Sequence, residues 1–194
     1  MPELPAPEKA FDESNLSMAK LDGALRRKRN ASRPGPNQIP YKVYKKCPQL
    51  KKYLLRLMQA TLREKKIPLK WRISDGIFIP KVDDPKEEQL RTDYRQIALT
   101  NVEGKLFWSL VSDKLYKYLV VENKFIDTSC QKGSIQKMAG CWEHMSMVWN
   151  ALQDARKRGK SLAVLWLDLA NAYGSVPHQL IKFALKRYGA LWDS

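Results

Sequence analysis

Asp168 is the residue whose type and position point most directly to chemistry. It lies near the end of the run Ser161–Leu169, which is almost wholly apolar and predicts a central strand buried on both faces of a sheet. A carboxylate in such a place is costly unless it is solvated, paired or bound to a metal. Mg²⁺ takes hard oxygen ligands, usually one or two carboxylates together with phosphate oxygens. Asp168 is therefore a candidate Mg²⁺ ligand, and the alternative is an ordinary carboxylate at a strand end.

Lys81 and Arg95 form a second candidate site. Lys81 ends the predicted strand Trp71–Lys81, and Arg95 lies in the run Tyr94–Leu99, which can return beside that strand through a turn at Val82–Lys86. A lysine and an arginine on facing strands of a hairpin make a cationic clamp suited to a triphosphate. Two solvated charges are the alternative.

The positive charge of the chain indicates a polyanionic partner. The 194 residues include 35 Lys and Arg against 20 Asp and Glu, a formal net charge of +15. In segment 41–72 the basic residues are opposed by Glu64 alone, and aromatic residues lie among them at Tyr41, Tyr44, Tyr53 and Trp71. A basic surface interleaved with aromatic rings suits a nucleic-acid backbone and stacked bases. Lys51, Lys52 and Arg56 are candidate contacts, with a solvated helix face as the alternative.

The sequence argues against secretion, membrane insertion and a zinc site. No stretch approaches the ~18 apolar residues that a membrane span requires, and residues 1–10 hold two glutamates and three prolines, unlike a signal peptide. Cys47, Cys130 and Cys141 are widely spaced and form no CxxC motif. We expect reduced thiols, an intracellular protein of the nucleus or cytoplasm, and no membrane partner.

The elements that must position these residues define an α+β protein. Helices are predicted over Ala10–Asn30, Ile39–Cys47, Pro48–Lys66, Val102–Glu122 and Met138–Arg158, with a last helix opening at Pro177. Asn101 is expected to cap the helix Val102–Glu122 with its side chain. An apolar stripe expected to face a core runs through Met138, Trp142, Met145, Trp149 and Leu152.

Several short motifs follow one another in a recognisable order. They are Pro34-Gly35-Pro36-Asn37-Gln38-Ile39-Pro40, Trp71 with Ile79-Pro80-Lys81, Tyr94-Arg95-Gln96-Ile97-Ala98-Leu99 with Gly104-Lys105, Gln131-Lys132-Gly133, Leu167-Asp168-Leu169 to Ala172-Tyr173, and Gly189. In this order the chain resembles the amino-terminal part of a reverse transcriptase of the non-LTR (LINE-type) retrotransposon group. The family pattern usually has a proline where Gln96 stands, an acidic residue where Gly174 stands, and Asp-Gly where Asn37-Gln38 stands.

The resemblance implies a right-hand polymerase of which the chain holds the fingers and the beginning of the palm, with an incomplete palm sheet and no thumb. Residues 1–30 would be a leader and basic helix, and residues 31–158 the fingers and the start of the palm. Residues 159–194 would be a palm strand, loop and helix that carry the first catalytic aspartate.

The same resemblance implies partners and site residues. The partners would be an RNA template, a DNA primer and a dNTP, with Mg²⁺ and no further small-molecule cofactor. Asp168 would be the catalytic aspartate shared by two metal ions, and Tyr173 the aromatic residue that excludes a 2′-hydroxyl. The residues implied for the dNTP are Lys81, Arg95, Leu169, Ala172 and Tyr173, and those for the template–primer are Gln131, Gly133, Lys51, Lys52 and Arg56.

A second catalytic motif of this family, aromatic-x-Asp-Asp, does not follow Asp168, and the pair Asp83-Asp84 precedes it in the predicted turn. We therefore expect a truncated reverse-transcriptase piece that does not extend a primer alone, whose central strand requires further sheet partners. Two alternatives stay open. One is a non-catalytic nucleic-acid-binding protein derived from a retroelement, and the other is a small Mg²⁺ nuclease, which would need further carboxylates near Asp168.

Overall fold

The computed structural model describes residues 5–14, 16–81, 94–169 and 172–190, and of Tyr173 it describes the backbone but not the side chain. The predicted turn Val82–Lys86 lies outside these residues. Contacts divide the chain into two compact units, Glu13–Lys114 and Met1–Asp12 with Leu115–Ser194. The first is called here the basic unit and the second the carboxyl-terminal unit.

The described residues form eight α-helices and two strands, with one π-helical stretch. In chain order they are α1 Met18–Arg26, α2 Tyr41–Lys46, α3 Pro48–Glu64, α4 Leu69–Arg72, β1 Ser74–Pro80, β2 Tyr94–Thr100, α5 Val102–Tyr116, the π-helix Lys117–Glu122, α6 Gly140–Lys157, α7 Ala172–Ser175 and α8 His178–Arg187. No described helix is long and apolar enough to cross a membrane. The fingers, palm and domain bounds named above stay predictions.

Local sequence signals explain where the helices of the basic unit begin and end. Pro48 opens α3 in the first turn, where its missing N–H costs nothing, and Lys65 ends that helix in a left-handed conformation with φ 51°. α1 is shorter than the predicted helix Ala10–Asn30 because it begins after Ser17, whose side chain accepts a hydrogen bond from the backbone N–H of Lys20 at 3.3 Å.

The core of the basic unit is built where α1, α2, α3 and α5 present apolar side chains to one another. Its buried members include Leu21, Leu25, Tyr41, Leu54, Met58, Trp71, Leu106, Phe107 and Leu110. The rings of Trp71 and Phe107 lie 5.2 Å apart between centroids, which packs α4 against α5. This core fixes the orientation of α3 and hence which of its side chains reach solvent.

The predicted hairpin is present. β1 and β2 pair antiparallel from Ser74 with Thr100 to Pro80 with Tyr94. The predicted strand Trp71–Lys81 is shorter in the structure because Trp71 belongs to α4. Most side chains of both strands are exposed, so the hairpin is held by its ladder and its base rather than by a buried face.

Two predictions for the carboxyl-terminal unit are wrong. α6 forms, but it has no buried residue, so the stripe that includes Trp142 and Trp149 does not face a core within the described structure. Ser161–Leu169 is exposed and forms neither a helix nor a strand. An apolar run becomes a strand only when neighbouring backbone offers hydrogen bonds, and the two described strands pair with each other.

Packing in the described part of this unit centres on Tyr118, which is buried. Its ring contacts Phe11 edge to face at 5.5 Å and Phe125 at 6.0 Å between centroids. Its hydroxyl donates a hydrogen bond of 2.6 Å to the backbone oxygen of Tyr188, just after α8. These contacts join the π-helix to the end of α8.

Candidate nucleic-acid interface

Helix α3 carries three stripes of different chemistry. At about 3.6 residues per turn, the buried stripe includes Leu54 and Met58, which face the core. Lys52 and Arg56, both exposed, lie on the side opposite this stripe, and exposed Tyr53 lies beside them, about 100° around the helix from Leu54. Cations that stand beside an exposed ring on a rigid helix can contact phosphates while the ring contacts a base.

The third candidate cation of α3, Lys51, faces another way. Its Nζ lies 2.6 Å from Oδ1 of Asp22 on α1, and its side chain is only 20% exposed. Lys45 is similarly engaged, since its Nζ donates to the backbone oxygen of Lys28 at 2.6 Å. The cations of segment 41–72 that reach solvent are therefore a subset of those in the sequence, and Lys52 and Arg56 belong to it.

The aromatic residues of this segment do not form one exposed surface. Tyr41, Tyr44 and Trp71 are buried in the core, which corrects the prediction that they lie ready to stack on bases. Tyr53 is 64% exposed. Three of the four rings therefore stabilise the fold, because large apolar area gains most when it leaves water.

An open groove of about 720 Å³ lies between α3 and α4. Its apolar walls include Leu50, Tyr53 and Leu57 from α3 and Leu69 from α4, and Lys70 is its cation. Asn37, Tyr44, Asn101 and Glu103 line its polar part.

The polar part of the groove is a hydrogen-bond network around Glu103, which is buried at the start of α5. Tyr44 donates its hydroxyl to Glu103 Oε1 at 2.5 Å, and Asn37 Nδ2 donates to both carboxylate oxygens at 2.9 and 3.1 Å. Burial first, and then the Glu103 carboxylate, raise the pKa of the Tyr44 hydroxyl above its ordinary value. A buried carboxylate is tolerated here because three contacts satisfy it.

Asn101 connects this network to α4. Its Oδ1 accepts a hydrogen bond from the backbone N–H of Asn37 at 3.0 Å, and its Nδ2 donates to the backbone oxygen of Lys70 at 2.7 Å. The expectation that this side chain caps α5 is therefore wrong, because its hydrogen bonds join the loop at Asn37 to α4. What the sequence analysis missed at this site is the set Asn37, Tyr44, Asn101 and Glu103. One available signal was an acidic residue between Val102 and Gly104 on an apolar helix start.

The motif Pro34-Gly35-Pro36-Asn37 lies against the junction of β2 and α5. A Cβ on Gly35 would lie 2.4 Å from the backbone carbon and oxygen of Thr100, so no larger residue fits. Gln38 has φ 57°, a left-handed conformation in which the family pattern has glycine. Because Gln38 has a Cβ, this left-handed conformation strains its backbone.

Lys81 and Arg95 are positioned by the hairpin. Arg95 pairs with Ile79 in the ladder, and Lys81 follows two residues after Ile79 just beyond the end of β1. Because directly paired residues share a face of a ladder, Arg95 and Ile79 belong to one face of the hairpin, and Lys81 lies just beyond the ladder. The joint binding of a triphosphate by Lys81 and Arg95 stays a prediction.

Gln131 and Gly133 contact each other in the loop before α6. Gln131 Nε2 donates to the backbone oxygen of Gly133 at 2.9 Å, and both residues are exposed. In the same loop the Asp127 carboxylate accepts hydrogen bonds from the Ser129 hydroxyl and from the Ser129 backbone N–H. These bonds, the hydroxyl's first, lower the pKa of Asp127. The loop is ordered by its own hydrogen bonds, which leave its outer surface to solvent.

Asp168 and Leu169 lie on the exposed segment Ser161–Leu169, and Ala172 begins the short helix α7 and is exposed. The predicted role of the Tyr173 side chain concerns atoms outside the described structure. Mg²⁺ requires several oxygen ligands, and the described residues bring no three His, Cys, Asp or Glu side chains together. Asp168 can supply one carboxylate, and we derive no step through a metal ion.

Comparison with known proteins shows a distant similarity. No protein-family model matches the chain. The chain is 26% identical over 160 residues to the retrovirus-related Pol polyprotein from type-2 retrotransposable element R2DM of Drosophila melanogaster. The match covers 82% of this chain and 14% of the length of that polyprotein. The similarity supports a retrotransposon-related origin of this protein.

Proposed function

We propose that the chain is a nucleic-acid-binding piece of a retroelement RNA-directed DNA polymerase, with RNA template and DNA primer as its macromolecular partners. The observation that carries the proposal is the exposed cationic edge of α3, at Lys52 and Arg56, in a chain similar to a retrotransposon Pol polyprotein. Long-range charge supports it, since +15 on 194 residues attracts a phosphate backbone.

In this proposal the hairpin receives the triphosphate of a dNTP. Arg95 lies in its ladder and Lys81 follows the end of β1, and an arginine fork can bind two phosphate oxygens while a lysine neutralises a third. Gln131 and Gly133 present their ordered loop to the template–primer. Asp168 is the proposed metal-binding carboxylate, and Mg²⁺ when bound would neutralise phosphate charge and activate a primer hydroxyl.

The test of nucleic-acid binding measures affinity for a single-stranded RNA and an RNA–DNA hybrid between 50 and 200 mM salt by fluorescence anisotropy. Affinity should fall steeply with salt because bound cations release counterions from the phosphates. The double variant Lys52→Gln/Arg56→Gln should flatten the log–log slope for single strands by about 0.7 per lost contact. Binding that does not depend on salt would contradict the proposal.

Lys51→Gln is the matched control for that experiment. It removes one positive charge from the same helix, against two in the double variant, but the Lys51 ammonium is bound to Asp22. We expect its salt slope to stay close to that of the unaltered protein. An equal loss of slope per removed charge in both variants would show that total charge, rather than the exposed edge of α3, governs binding.

A non-catalytic nucleic-acid-binding protein derived from a retroelement is the second candidate. It is favoured by the position of Asp168, which lies on an exposed segment outside any ladder. Neither candidate is expected to extend a primer as this chain alone, so extension with Mg²⁺ and dNTPs that Asp168→Ala abolishes would contradict that expectation and support an active polymerase. An aromatic-x-Asp-Asp motif downstream in the same reading frame would support the polymerase piece, and its absence from the natural transcript would support the second candidate.

A further inference from the structure

The groove between α3 and α4 has the size and lining of a site for a small flat molecule. Its volume of about 720 Å³ lies within the usual range of ligand sites, about 300–1,000 Å³. Leu50, Leu57 and Leu69 expose 43%, 45% and 68% of their surface along it. Leucine side chains so exposed on neighbouring helices leave an apolar surface that a partner can cover.

Tyr53 supplies a stacking platform at this groove. Of the four aromatic residues in segment 41–72 it is the one that is exposed, and it lines the groove beside Leu50 and Leu57. Because 3.6 residues make one turn of α3, Leu50 and Leu57 lie on one side of Tyr53, and Lys52 and Arg56 lie on the other. The ring therefore stands at the boundary between an apolar wall and a cationic edge.

Cations stand on both sides of this platform. Lys70 lines the groove, and its backbone oxygen is fixed by Asn101 Nδ2 at 2.7 Å. Lys52 and Arg56 are exposed on the far edge. A strand that places one base on Tyr53 can therefore meet positive charge before and after that base, which is the chemistry of single-stranded nucleic acid.

The polar part of the groove offers little to distinguish one base from another. The side chains of Asn37, Asn101 and Glu103 are engaged in hydrogen bonds with one another or with backbone. Stacking on an aromatic face tolerates every base, because each base has a π-face.

We propose that this groove holds one unpaired base of a single-stranded nucleic acid, stacked on Tyr53 with its flanking phosphates at Lys70 and at the Lys52–Arg56 edge. The inference rests on the proposed function, since it names the part of the nucleic acid that this surface takes. Charge complementarity selects this occupant over a protein segment, because an apolar peptide has no use for cations on both sides of the groove.

The experiment compares a 12-nucleotide single-stranded RNA with a blunt duplex of the same sequence, using the full chain at one salt concentration. Tyr53→Ala should weaken single-strand binding about 5- to 100-fold, the loss expected for one stacked base. It should change duplex binding less than about twofold, since paired bases are not available to the ring. Tyr53→Phe keeps the stacking face and should restore single-strand affinity.

Two further measurements test whether the effect of Tyr53→Ala is specific to the groove. Trp142→Ala removes an aromatic residue that is 78% exposed on α6 and does not line the groove, and it should leave both affinities unchanged. A 12-mer substituted with 5-iodouridine should crosslink under light to the peptide that contains Tyr53. Crosslinks confined to other peptides would overturn the inference.

The failures of the inference and of the proposed function are distinguishable. Salt-dependent binding of both RNAs that Tyr53→Ala weakens equally, or not at all, overturns the base site and leaves the proposed function standing. Absence of binding to either RNA at 50 mM salt overturns both. If sedimentation shows the chain to be a dimer that Tyr53→Ala dissociates, the groove is an interface between two copies and the base site is wrong.

Discussion

The basic unit and the carboxyl-terminal unit contain similar apolar patterns and bury them very differently. In the basic unit Leu106 and Met58 are fully buried among four helices. In the carboxyl-terminal unit Leu167 is 88% exposed, and α6 presents tryptophans and methionines to solvent. The contrast teaches that an apolar pattern specifies a face to be covered, while burial requires a second surface of matching shape.

The two units also use polar groups differently. The basic unit buries Glu103 within a network of three residues, whereas in the carboxyl-terminal unit the ion pair of Arg158 with Asp154, at 2.8 Å, is exposed. Exposed pairs contribute little, about 0–1 kcal/mol. Stability in the described structure is therefore expected to reside in the basic unit.

The largest expected effect comes from one substitution made once in each unit. Leu106→Ala should cost about 2–5 kcal/mol of unfolding free energy, because it leaves a cavity in a packed core. Leu167→Ala should change it by less than about 0.5 kcal/mol, because the side chain is already in water. Denaturant unfolding measures both. A comparable loss at Leu167 would show that the carboxyl-terminal segment is covered in solution.

Two glycines of the basic unit should respond with opposite signs. Gly35→Ala should destabilise by about 1–3 kcal/mol or more, since its Cβ would meet the Thr100 backbone at 2.4 Å and force the loop away from α5. Gly23→Ala, inside α1 with open space around its Cβ, should stabilise by about 0.5–1 kcal/mol. Thermal melts followed by circular dichroism separate them. An unchanged melting temperature for Gly35→Ala would argue against its contact with Thr100, and a lowered one for Gly23→Ala would argue against open space around that Cβ.

A pair of tyrosines tests the Glu103 network. Tyr44→Phe removes the hydroxyl that donates to a buried carboxylate and should cost about 1–3 kcal/mol. Tyr53→Phe removes an exposed hydroxyl from the same basic unit and should be neutral within about 0.5 kcal/mol. Equal effects on the unfolding free energy would mean that the network adds nothing beyond ordinary helix packing.

The smallest effect is a dependence on alkaline pH. The pKa of Tyr44 is raised above 10.0 in the folded protein, so the folded state keeps a proton that the unfolded state loses. This contribution is fully present below pH 10 and is lost as the pH rises toward the folded pKa. The unaltered protein should lose up to about 1.4 kcal/mol per pH unit more than Tyr44→Phe above pH 10. Parallel pH profiles of the two proteins would refute it.

The sequence was most informative where the signal is local. Pro48 at the start of α3 and the alternation in β1 and β2 depend on neighbours a few residues away. Helix α3 runs from Pro48 to Glu64 against a predicted end at Lys66, and β1 begins at Ser74 against a predicted start at Trp71. The pairing of Arg95 with Ile79 follows from the same short-range rule, and the clamp formed by Lys81 with Arg95 stays a prediction. The role of Asp168 stays a prediction.

Features that depend on remote contacts were decided by the tertiary structure. Lys51 meets Asp22 across 29 residues, and Asn37 meets Glu103 across 66. Such pairs leave no periodic trace in a single sequence, so Lys51 resembled Lys52 and Asn101 resembled a helix cap. By itself the sequence determined α2, α3 and α5, the hairpin and the excess of positive charge, because backbone propensity and side-chain period act over a few residues. It placed Trp71 of α4 in a strand, and it made the first helix longer than α1. Packing alone decided which cations and which aromatic ring reach solvent, since burial depends on surfaces that meet only when the chain has folded.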